Sequence, residues 1–385
     1  MTVSHILLVS DRFPPSVGGL QAAGGELAAQ FSRMGFRVSV ATMTPGAKSC
    51  ADYEVFLLDS KDFRGNVLRL AREVNPDVVV LNGLLHHLQY PISISRAPCP
   101  VIYRSHGIGT NFHLFWEYPP FFGVGAWLGN VVRAIRNAWI GRHLAQEVFL
   151  DDKVGFFQNF DVLLSRLVHP GNVSYIPNAF EPVTHFEENH FREKYNIQPD
   201  QLLVLNVANY CDRKGQIDAI RAIRKHPDMD ARFVFIGSEK NDIHQKAESL
   251  ARGDSRICLL AGIPREDVVE AINAADIAFL FSRQEQQPLF LSEAMSCGKP
   301  WISTNVGSVS KMKGGIVLRH RNACCFAQAV RELEMPEKRA KLGSEGKAFW
   351  KTHYSPDVVC SQWRKLLGDV LDNRNNRQRR REEEF

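Results

Sequence analysis

Residues 5–35 read HILLVSDRFPPSVGGLQAAGGELAAQFSRMG and contain the succession of elements that decides the fold. His5–Ser10 is an almost continuous apolar run, which is typical of a parallel strand buried on both faces. Gly18 and Gly19 then open a helical pattern that continues to Met34. A strand, a glycine-containing loop and a helix in this order predict the first unit of a doubly wound α/β sheet.

Strands and helices continue to alternate along the chain and form two series. Further strands of the first series are predicted at 38–42, 77–81, 100–104, 147–150 and 173–176. A polar break then precedes a second series, with a strand at 202–208, a helix at 216–225, and strands at 232–236, 257–260, 277–281 and 301–304. We therefore predict an α/β protein of two tandem Rossmann-like domains that face a central cleft, the usual place for a ligand.

The chain length agrees with this organisation, because 385 residues at about 150 residues per domain correspond to two or three domains. We expect an N-terminal Rossmann-like domain at 1–182 and a C-terminal Rossmann-like domain at 183–353. A C-terminal helix within 354–385 is expected to pack back on the N-terminal domain, and its last dozen residues to form a solvated or frayed polar tail.

Composition and charge exclude several classes of protein. Hydrophobic residues at 44% and charged residues at 23% are ordinary for a globular chain, which argues against disorder or a fibre. A net charge of +5 is too small to indicate a nucleic-acid partner. The sequence shows neither a signal peptide nor an apolar run of about 18 residues, and its eight cysteines form no C-x-x-C pair. We expect a cytoplasmic protein, with the inner face of the membrane as a candidate location.

The most specific stretch is residues 285–298, which read EQQPLFLSEAMSCG. Pro288 suits the first turn of a helix that follows the strand at 277–281, so Glu285 would lie in the loop and Glu293 about two turns into the helix. The N–H groups of the first turn, at Leu289 and Phe290, have no partner within the helix and suit a diphosphate. The ordinary structural interpretation is an amphipathic helix with two unremarkable glutamates.

Nearly the whole chain resembles a family, the retaining nucleotide-sugar glycosyltransferases of the GT-B fold, in particular family 4, the glycosyl transferases group 1. The resemblance is carried by DRFPPSVGGL at 11–20, LAAQFSRMGFRVSVAT at 27–42, YIPNAF at 175–180, NVANYCDRKG at 206–215 and EQQPLFLSEAMSCGKPWIST at 285–304. It implies that the N-terminal domain binds the acceptor and the C-terminal domain binds the nucleotide sugar.

The resemblance also implies roles for individual residues. Gly18 and Gly19 would let the backbone approach the donor, while Lys214, helped by Arg213, would hold the diphosphate and stabilise the negative charge of the leaving group.

By the same resemblance, Glu285 would contact the donor sugar and Glu293 would contact the ribose of the nucleotide. Ile263 would lie where backbone groups contact the base. His106, in RSHG at 104–107, matches a histidine that lies beside the donor sugar in similar enzymes. A neutral or a protonated imidazole could hydrogen-bond there.

Three short stretches depart from the family pattern. Ala208 and Asn209 stand where a glycine-arginine pair is usual, 287–289 read QPL in place of GFG, and 307–311 read GSVSK without the usual glutamate. Arg213 is a candidate replacement for the missing arginine.

We expect a transfer that needs no cofactor and no metal, because the sequence has no D-x-D site at a strand end. The expected partners are the nucleotide sugar and a saccharide or lipid-linked acceptor, in the assembly of polysaccharide, lipopolysaccharide or glycolipid. Two alternatives stay open. One is a catalytically silent nucleotide-sugar-binding subunit, and the other is an epimerase or hydrolase of the same fold.

The segment 112–142 is rich in aromatic residues and has arginines at helical spacings, among them Arg133, Arg136 and Arg142. A surface of this kind could rest on a membrane, so peripheral membrane contact is a candidate partnership. The alternative is a core-packing helix with a solvated basic face.

Overall fold

The computed structural model of the chain describes residues 4–83, 97–106, 144–150, 160–184 and 188–383, together with the single helical positions 128, 129, 131, 132, 135, 138, 139 and 141. It divides into two compact units, of which the first comprises Met1–Ala179 with Pro356–Phe385 and the second comprises Phe180–Ser355. The sequence placed these boundaries after residues 182 and 353.

The first unit is built on a seven-stranded parallel sheet in the order β3-β2-β1-β4-β5-β6-β7. Its strands are β1 (His5–Ser10), β2 (Arg37–Thr42), β3 (Glu54–Leu57), β4 (Val78–Asn82), β5 (Val101–Ser105), β6 (Gln146–Phe149) and β7 (Val173–Tyr175). Helices described in full between these strands are α1 (Gly19–Arg33), α2 (Phe63–Val74) and α3 (Phe160–Val168). The central strands are buried on both faces because helices cover the sheet, as their apolar sequences require.

The second unit contains a six-stranded parallel sheet in the order β10-β9-β8-β11-β12-β13. Its strands are β8 (Leu202–Val207), β9 (Ala231–Gly237), β10 (Ile257–Ala261), β11 (Ile277–Leu280), β12 (Trp301–Thr304) and β13 (Gly315–Leu318). Its helices are α4 (Phe191–Lys194), α5 (Gln216–Lys225), α6 (Asp242–Ala251), α7 (Arg265–Ala274), α8 (Leu289–Ser296), α9 (Ala323–Glu332) and α10 (Pro336–His353). The two parallel sheets confirm the predicted α/β architecture of two Rossmann-like units in tandem.

Two strands were missing from the sequence prediction, β3 and β13. Each has four residues and lies at an edge of its sheet, where its side chains are mostly half-buried or exposed. The continuous apolar run that reveals a central parallel strand is therefore absent from both.

The last helix, α11 (Pro356–Glu383), belongs to the first unit. Trp363 is fully buried and meets Phe31 of α1 edge to face, with ring centroids 5.2 Å apart. The helical backbone continues through the polar sequence as far as Glu383. No glycine or proline follows Gly368 to interrupt it. None of the helices among the described residues is both long and apolar enough to span a bilayer.

Strand order reverses at one place in each sheet, between β1 and β4 and between β8 and β11. The connections that leave two such neighbouring strands run in opposite directions, so their loops separate and leave a crevice at the carboxyl ends. This reversal places the loop after β8 beside the loop after β11.

The loop after β8 ends in a single 3-10 turn, Asp212–Lys214, followed by Gly215 with φ of 70°. A Cβ atom at Gly215 would overlap the carbonyl oxygen of Phe281, the residue after β11. Glycine is therefore required here both for the backbone conformation and for the close approach of the two loops.

We predict that Gly215→Ala destabilises the protein more than Gly253→Ala does. Both glycines have positive φ, but a Cβ at Gly253 would have no atom within 4 Å. Gly253→Ala should cost about 1–2 kcal/mol of unfolding free energy from backbone strain alone. Gly215→Ala should cost about 1–3 kcal/mol more, because the Phe281 carbonyl must also move. Urea unfolding followed by circular dichroism measures both, and equal losses would contradict the close approach.

Candidate functional site

Lys214 and Glu285 form the central contact at the carboxyl ends of β8 and β11. Lys214 Nζ lies 2.7 Å from Oε1 and 2.9 Å from Oε2 of Glu285, so the ammonium group contacts both carboxylate oxygens. The side chains are 22% and 9% exposed, which makes this a mostly buried ion pair. The reversal of strand order thus brings together two of the predicted site residues.

A second layer of hydrogen bonds holds Glu285 in place. Ser282 Oγ donates to Glu285 Oε1 at 2.7 Å, and Thr304 Oγ1, at the end of β12, donates to the Ser282 carbonyl at 2.6 Å. The backbone N–H of Ser308 donates to the Gln286 carbonyl at 2.9 Å. Ser282 and Thr304 were not predicted from the sequence, although a polar residue at the end of a buried strand was a usable signal.

Gln216, the first residue of α5, holds the loop that carries Lys214 through side-chain hydrogen bonds. Its buried side-chain amide donates to the carbonyls of Ala208 and Asn209, at 3.2 and 2.9 Å. Asn209, which departs from the family pattern, has an exposed side chain. Its backbone therefore contributes to the loop while its side chain faces solvent.

Arg213 precedes Lys214 and is exposed, and its side chain has no carboxylate partner among the residues that the structure describes. Its carbonyl accepts a hydrogen bond from the N–H of Arg283 at 2.8 Å. Arg283 and Arg321 in turn pair with Asp218 of α5, at 2.5 and 2.7 Å. Burial alone would raise the pKa of Asp218, but these two guanidinium groups outweigh it and lower the pKa.

Helix α8 begins at Leu289, one residue later than predicted, and Pro288 takes the position that precedes the helix. The first turn of hydrogen bonds starts with Ser292 N–H, which donates to the Pro288 carbonyl at 3.4 Å. The N–H groups of Leu289 and Phe290 come before it and have no partner within the helix. No described side chain caps this end of the helix.

Glu293 is the fifth residue of α8 and so lies little more than one turn from its start, which corrects the predicted two turns. Its Oε1 is paired with the guanidinium of Arg265, the first residue of α7. Ile263, two residues earlier, is half-buried against the core cluster that contains Phe290. Arg265 was not predicted from the sequence. Its partner Glu293 lies 28 residues further along the chain, and no local pattern connects the two.

In the first unit, Gly18 precedes α1 and Gly19 begins it. His106 follows β5, and its Nε2 lies 2.9 Å from Oδ1 of Asn82, the last residue of β4. A Cβ atom added at Gly83 would overlap the side chain of Leu20 and would lie 3.2 Å from His106 Cδ2. The start of α1 and His106 therefore meet around Gly83, at the reversal point of the first sheet.

His106 is held in its neutral form. Burial disfavours the charged imidazolium, and the nearby Arg104 guanidinium repels it, so the pKa of His106 lies well below its ordinary value. Of the two protonation states that the sequence left open, the neutral imidazole is the one favoured here.

Part of the predicted membrane-facing segment lies outside the described residues, including Arg133, Arg136 and Arg142. Its described helical positions include four large apolar side chains that are between 49% and 63% exposed, Leu128, Val132, Ile135 and Trp139. In the described part of the chain, no three His, Cys, Asp or Glu side chains cluster as ligands for a metal ion.

Sequence comparison gives matches for part of the chain. The family described as "Glycosyl transferases group 1" matches residues 187–349. The N-acetyl-alpha-D-glucosaminyl L-malate synthase of Bacillus anthracis is 24% identical over 229 residues, which cover 55% of this chain and 58% of that protein. The D-inositol 3-phosphate glycosyltransferase of Pseudarthrobacter chlorophenolicus is 24% identical over 164 residues, which cover 40% of this chain and 39% of that protein. The chain thus aligns with less than two thirds of each.

Structural comparison extends over nearly the whole chain. Sucrose-phosphate synthase from Thermosynechococcus elongatus matches with a TM-score of 0.76 at 16% identity, over 96% of this chain and 100% of that one. WaaG, a glycosyltransferase involved in lipopolysaccharide biosynthesis, matches with a TM-score of 0.70 at 18% identity, over 92% and 98%. Anabaena HepE in complex with UDP-glucose matches with a TM-score of 0.71 at 16% identity, over 96% and 99%.

The structural likeness confirms the GT-B fold, and the matched segment 187–349 covers most of the unit that contains Lys214, Glu285 and Glu293. The segment 187–349 belongs to the glycosyl transferases group 1 family.

Proposed function

We propose that the protein is a retaining glycosyltransferase of family 4. It moves a sugar from a nucleotide-diphosphate sugar to an acceptor hydroxyl. The observation that carries the proposal is the Lys214–Glu285 pair, which lies at the strand reversal of the matched domain. An ammonium group and a carboxylate there can serve an anionic diphosphate and a hydroxyl-rich sugar in one site.

The pair suggests how the donor enters. Glu285 neutralises Lys214, so neither charge is buried alone. An arriving diphosphate competes for Lys214, and the freed oxygens of Glu285 become acceptors for sugar hydroxyls. Ser282 continues to donate to Glu285 and keeps its carboxylate in place.

The chemical step needs stabilisation of the negative charge that grows on the diphosphate as the sugar leaves. Lys214 supplies one positive charge, and the exposed side chain of Arg213 supplies a second one. The N–H groups of Leu289 and Phe290, which have no partner within the helix, add donors at the positive end of a helix dipole. We propose that these groups carry the charge without a divalent cation.

The remaining predicted residues receive roles on the nucleotide and sugar. Glu293 accepts from the ribose hydroxyls once it leaves Arg265, and backbone groups at Ile263 read the base. Gly18 and Gly19 admit the donor at the start of α1, where a side chain on Gly18 would collide with Gln21. His106 contacts the donor sugar.

The similar proteins support sugar transfer in glycan or glycolipid assembly, because WaaG is a glycosyltransferase involved in lipopolysaccharide biosynthesis. A UDP-sugar is a reasonable first donor, because the Anabaena structure holds UDP-glucose. We propose a saccharide or lipid-linked acceptor on the first unit.

We predict that Lys214→Ala slows transfer and weakens donor binding. The matched control is Lys225→Ala, because Lys225 is an exposed lysine in the last turn of α5. Thermal-shift measurements with UDP-glucose, UDP-N-acetylglucosamine, GDP-mannose and ADP-glucose identify the donor, which raises the melting temperature by mass action. With that donor, kcat/KM should fall at least about 100-fold for Lys214→Ala, on the scale of one lost oxyanion-type donor, and stay unchanged for Lys225→Ala.

Three results would contradict parts of this proposal. Donor binding without turnover across an acceptor panel would favour a silent binding subunit. Loss of activity with EDTA and recovery with manganese would show that a metal is needed. A product with inverted anomeric configuration by proton NMR would exclude the retaining mechanism.

We further propose that the first unit contacts an anionic membrane surface. The exposed side chains Leu128, Val132, Ile135 and Trp139 are spaced by four, three and four residues, which places them on one face of a helix. The sequence interleaves Arg133 and Arg136 with this apolar face, a pattern typical of helices that lie in the membrane interface.

We predict that Val132→Ser/Ile135→Ser and Arg133→Glu/Arg136→Glu each weaken binding to phosphatidylserine-containing vesicles about tenfold or more. The control is Leu167→Ser/Val168→Ser, which removes two exposed apolar side chains from α3. Co-sedimentation measures the bound fraction. Negligible binding by the wild type, or equal loss in the control, would remove the membrane role.

A further inference from the structure

Arg104, the fourth residue of β5, is a buried cation to which no described residue supplies a counter-ion. Its side chain is 2% exposed, and in the described part of the chain it pairs with no carboxylate. Its hydrogen bonds go to neutral oxygens, to Asn178 Oδ1 at 2.6 Å and to Asn82 Oδ1 and the Pro177 carbonyl at 3.5 Å. Burial lowers its pKa to about 9. Burying a guanidinium in this way costs free energy of desolvation.

The contacts of Arg104 fix the orientation of the Asn82 amide. An arginine has donors only, so the Asn82 atom that faces it is the oxygen. On the other side, Asn82 Nδ2 donates to Ser10 Oγ at 3.2 Å, and Ser10 Oγ donates onward to the Arg12 carbonyl at 2.8 Å. A flipped amide would direct its NH2 group at the guanidinium, which accepts nothing.

The orientation of Asn82 in turn fixes the tautomer of His106. The Nε2 atom of His106 lies 2.9 Å from Asn82 Oδ1, and this oxygen can only accept. Nε2 must therefore carry the hydrogen. A neutral imidazole with its hydrogen on Nε2 has an unprotonated Nδ1 that accepts hydrogen bonds.

We propose that Arg104 is a positioning residue for His106: through Asn82 it holds the imidazole as the neutral Nε2–H tautomer, so that Nδ1 accepts a hydrogen bond from a hydroxyl of the substrate sugar. The inference rests on the proposed glycosyl transfer for its substrate. It assigns to His106 a hydrogen-bond acceptor role toward a sugar hydroxyl.

Charge supports the same arrangement. Among the described residues around His106, β1 and β4 contribute neutral Ser10 and Asn82, α1 contributes Leu20, and β5 contributes the charge of Arg104. A fixed positive charge two residues away opposes a second one on the imidazole. Arg104 therefore acts on His106 through the shared hydrogen-bond acceptor and through repulsion.

Arg104 is itself held by distant parts of the first unit. Asn178 and Pro177 belong to the segment where that unit gives way to the second, and the guanidinium carbon lies 5.9 Å from the ring centre of Trp363 in α11. Lysine cannot reproduce this set, because a point charge lacks the planar fork that reaches several acceptors at once.

The first test uses the wild-type chain with isotope-labelled histidine. The long-range nitrogen–proton NMR pattern of each imidazole reports its tautomer, and His106→Gln identifies the signals of His106 among the 13 histidines. We expect the Nε2–H tautomer at pH 7 and protonation only at a pH well below the ordinary range. An Nδ1–H tautomer or a charged ring at pH 7 would overturn the proposal, without any variant having to fold.

The second test compares Arg104→Met with Arg364→Met, which removes an exposed arginine on α11. Arg104→Met should raise the titration midpoint of His106 and move the acid limb of the kcat–pH profile upward. It should also lower kcat about 10- to 100-fold, with less effect on the donor KM. Arg104→Lys should restore the low midpoint of His106 but only part of kcat, and Arg364→Met should change neither quantity.

Unchanged His106 signals and an unchanged acid limb in a folded Arg104→Met variant would refute the positioning role. The NMR measurement needs no substrate. The expected tautomer in a protein that transfers no sugar would therefore contradict the proposed function alone, while active transfer with the wrong tautomer would contradict this inference alone.

Discussion

The Lys214–Glu285 ion pair is the interaction around which the second unit is arranged. Two mostly buried opposite charges are tolerated only with good geometry and further hydrogen bonds. The surrounding residues supply these conditions. Gly215 allows the two loops to approach, Ser282 donates to the carboxylate, and Thr304 holds Ser282 from the next strand. A ligand anion that displaces one partner of the pair enters a site whose other groups are already oriented. Binding therefore costs little conformational entropy.

The buried charge of the first unit, on Arg104, differs from the Lys214–Glu285 pair because its described contacts are neutral. Among the described residues, Arg104 contacts neutral oxygens and the indole ring of Trp363, and its charge repels a proton on its neighbour His106. Both units place their polar groups at the carboxyl ends of strands beside a reversal of strand order. The second unit thereby offers cationic and anionic groups together, while the first offers a neutral hydrogen-bonding ring.

The departures from the family pattern are compatible with this arrangement. Asn209 stands where an arginine is usual, yet its loop is fixed through its carbonyl by Gln216, which does not depend on the side chain at that position. Pro288 removes one N–H donor, but the helix begins after it and keeps those of Leu289 and Phe290. At 16% identity to a structure that matches 96% of the chain, the fold has evidently been kept by burial patterns that many different residues satisfy.

The sequence by itself determined the two Rossmann-like halves, most strands and the candidate residues of the loops, because buried strands and helix starts leave local patterns of polarity. It missed β3 and β13, whose edge positions leave no continuous apolar run, and it could not assign partners. The tertiary structure alone decided that Lys214 meets Glu285 across 71 positions and that Arg104 reaches Asn178 across 74. Such pairings depend on how the crossover connections order the strands, and local periodicity carries no information about that order.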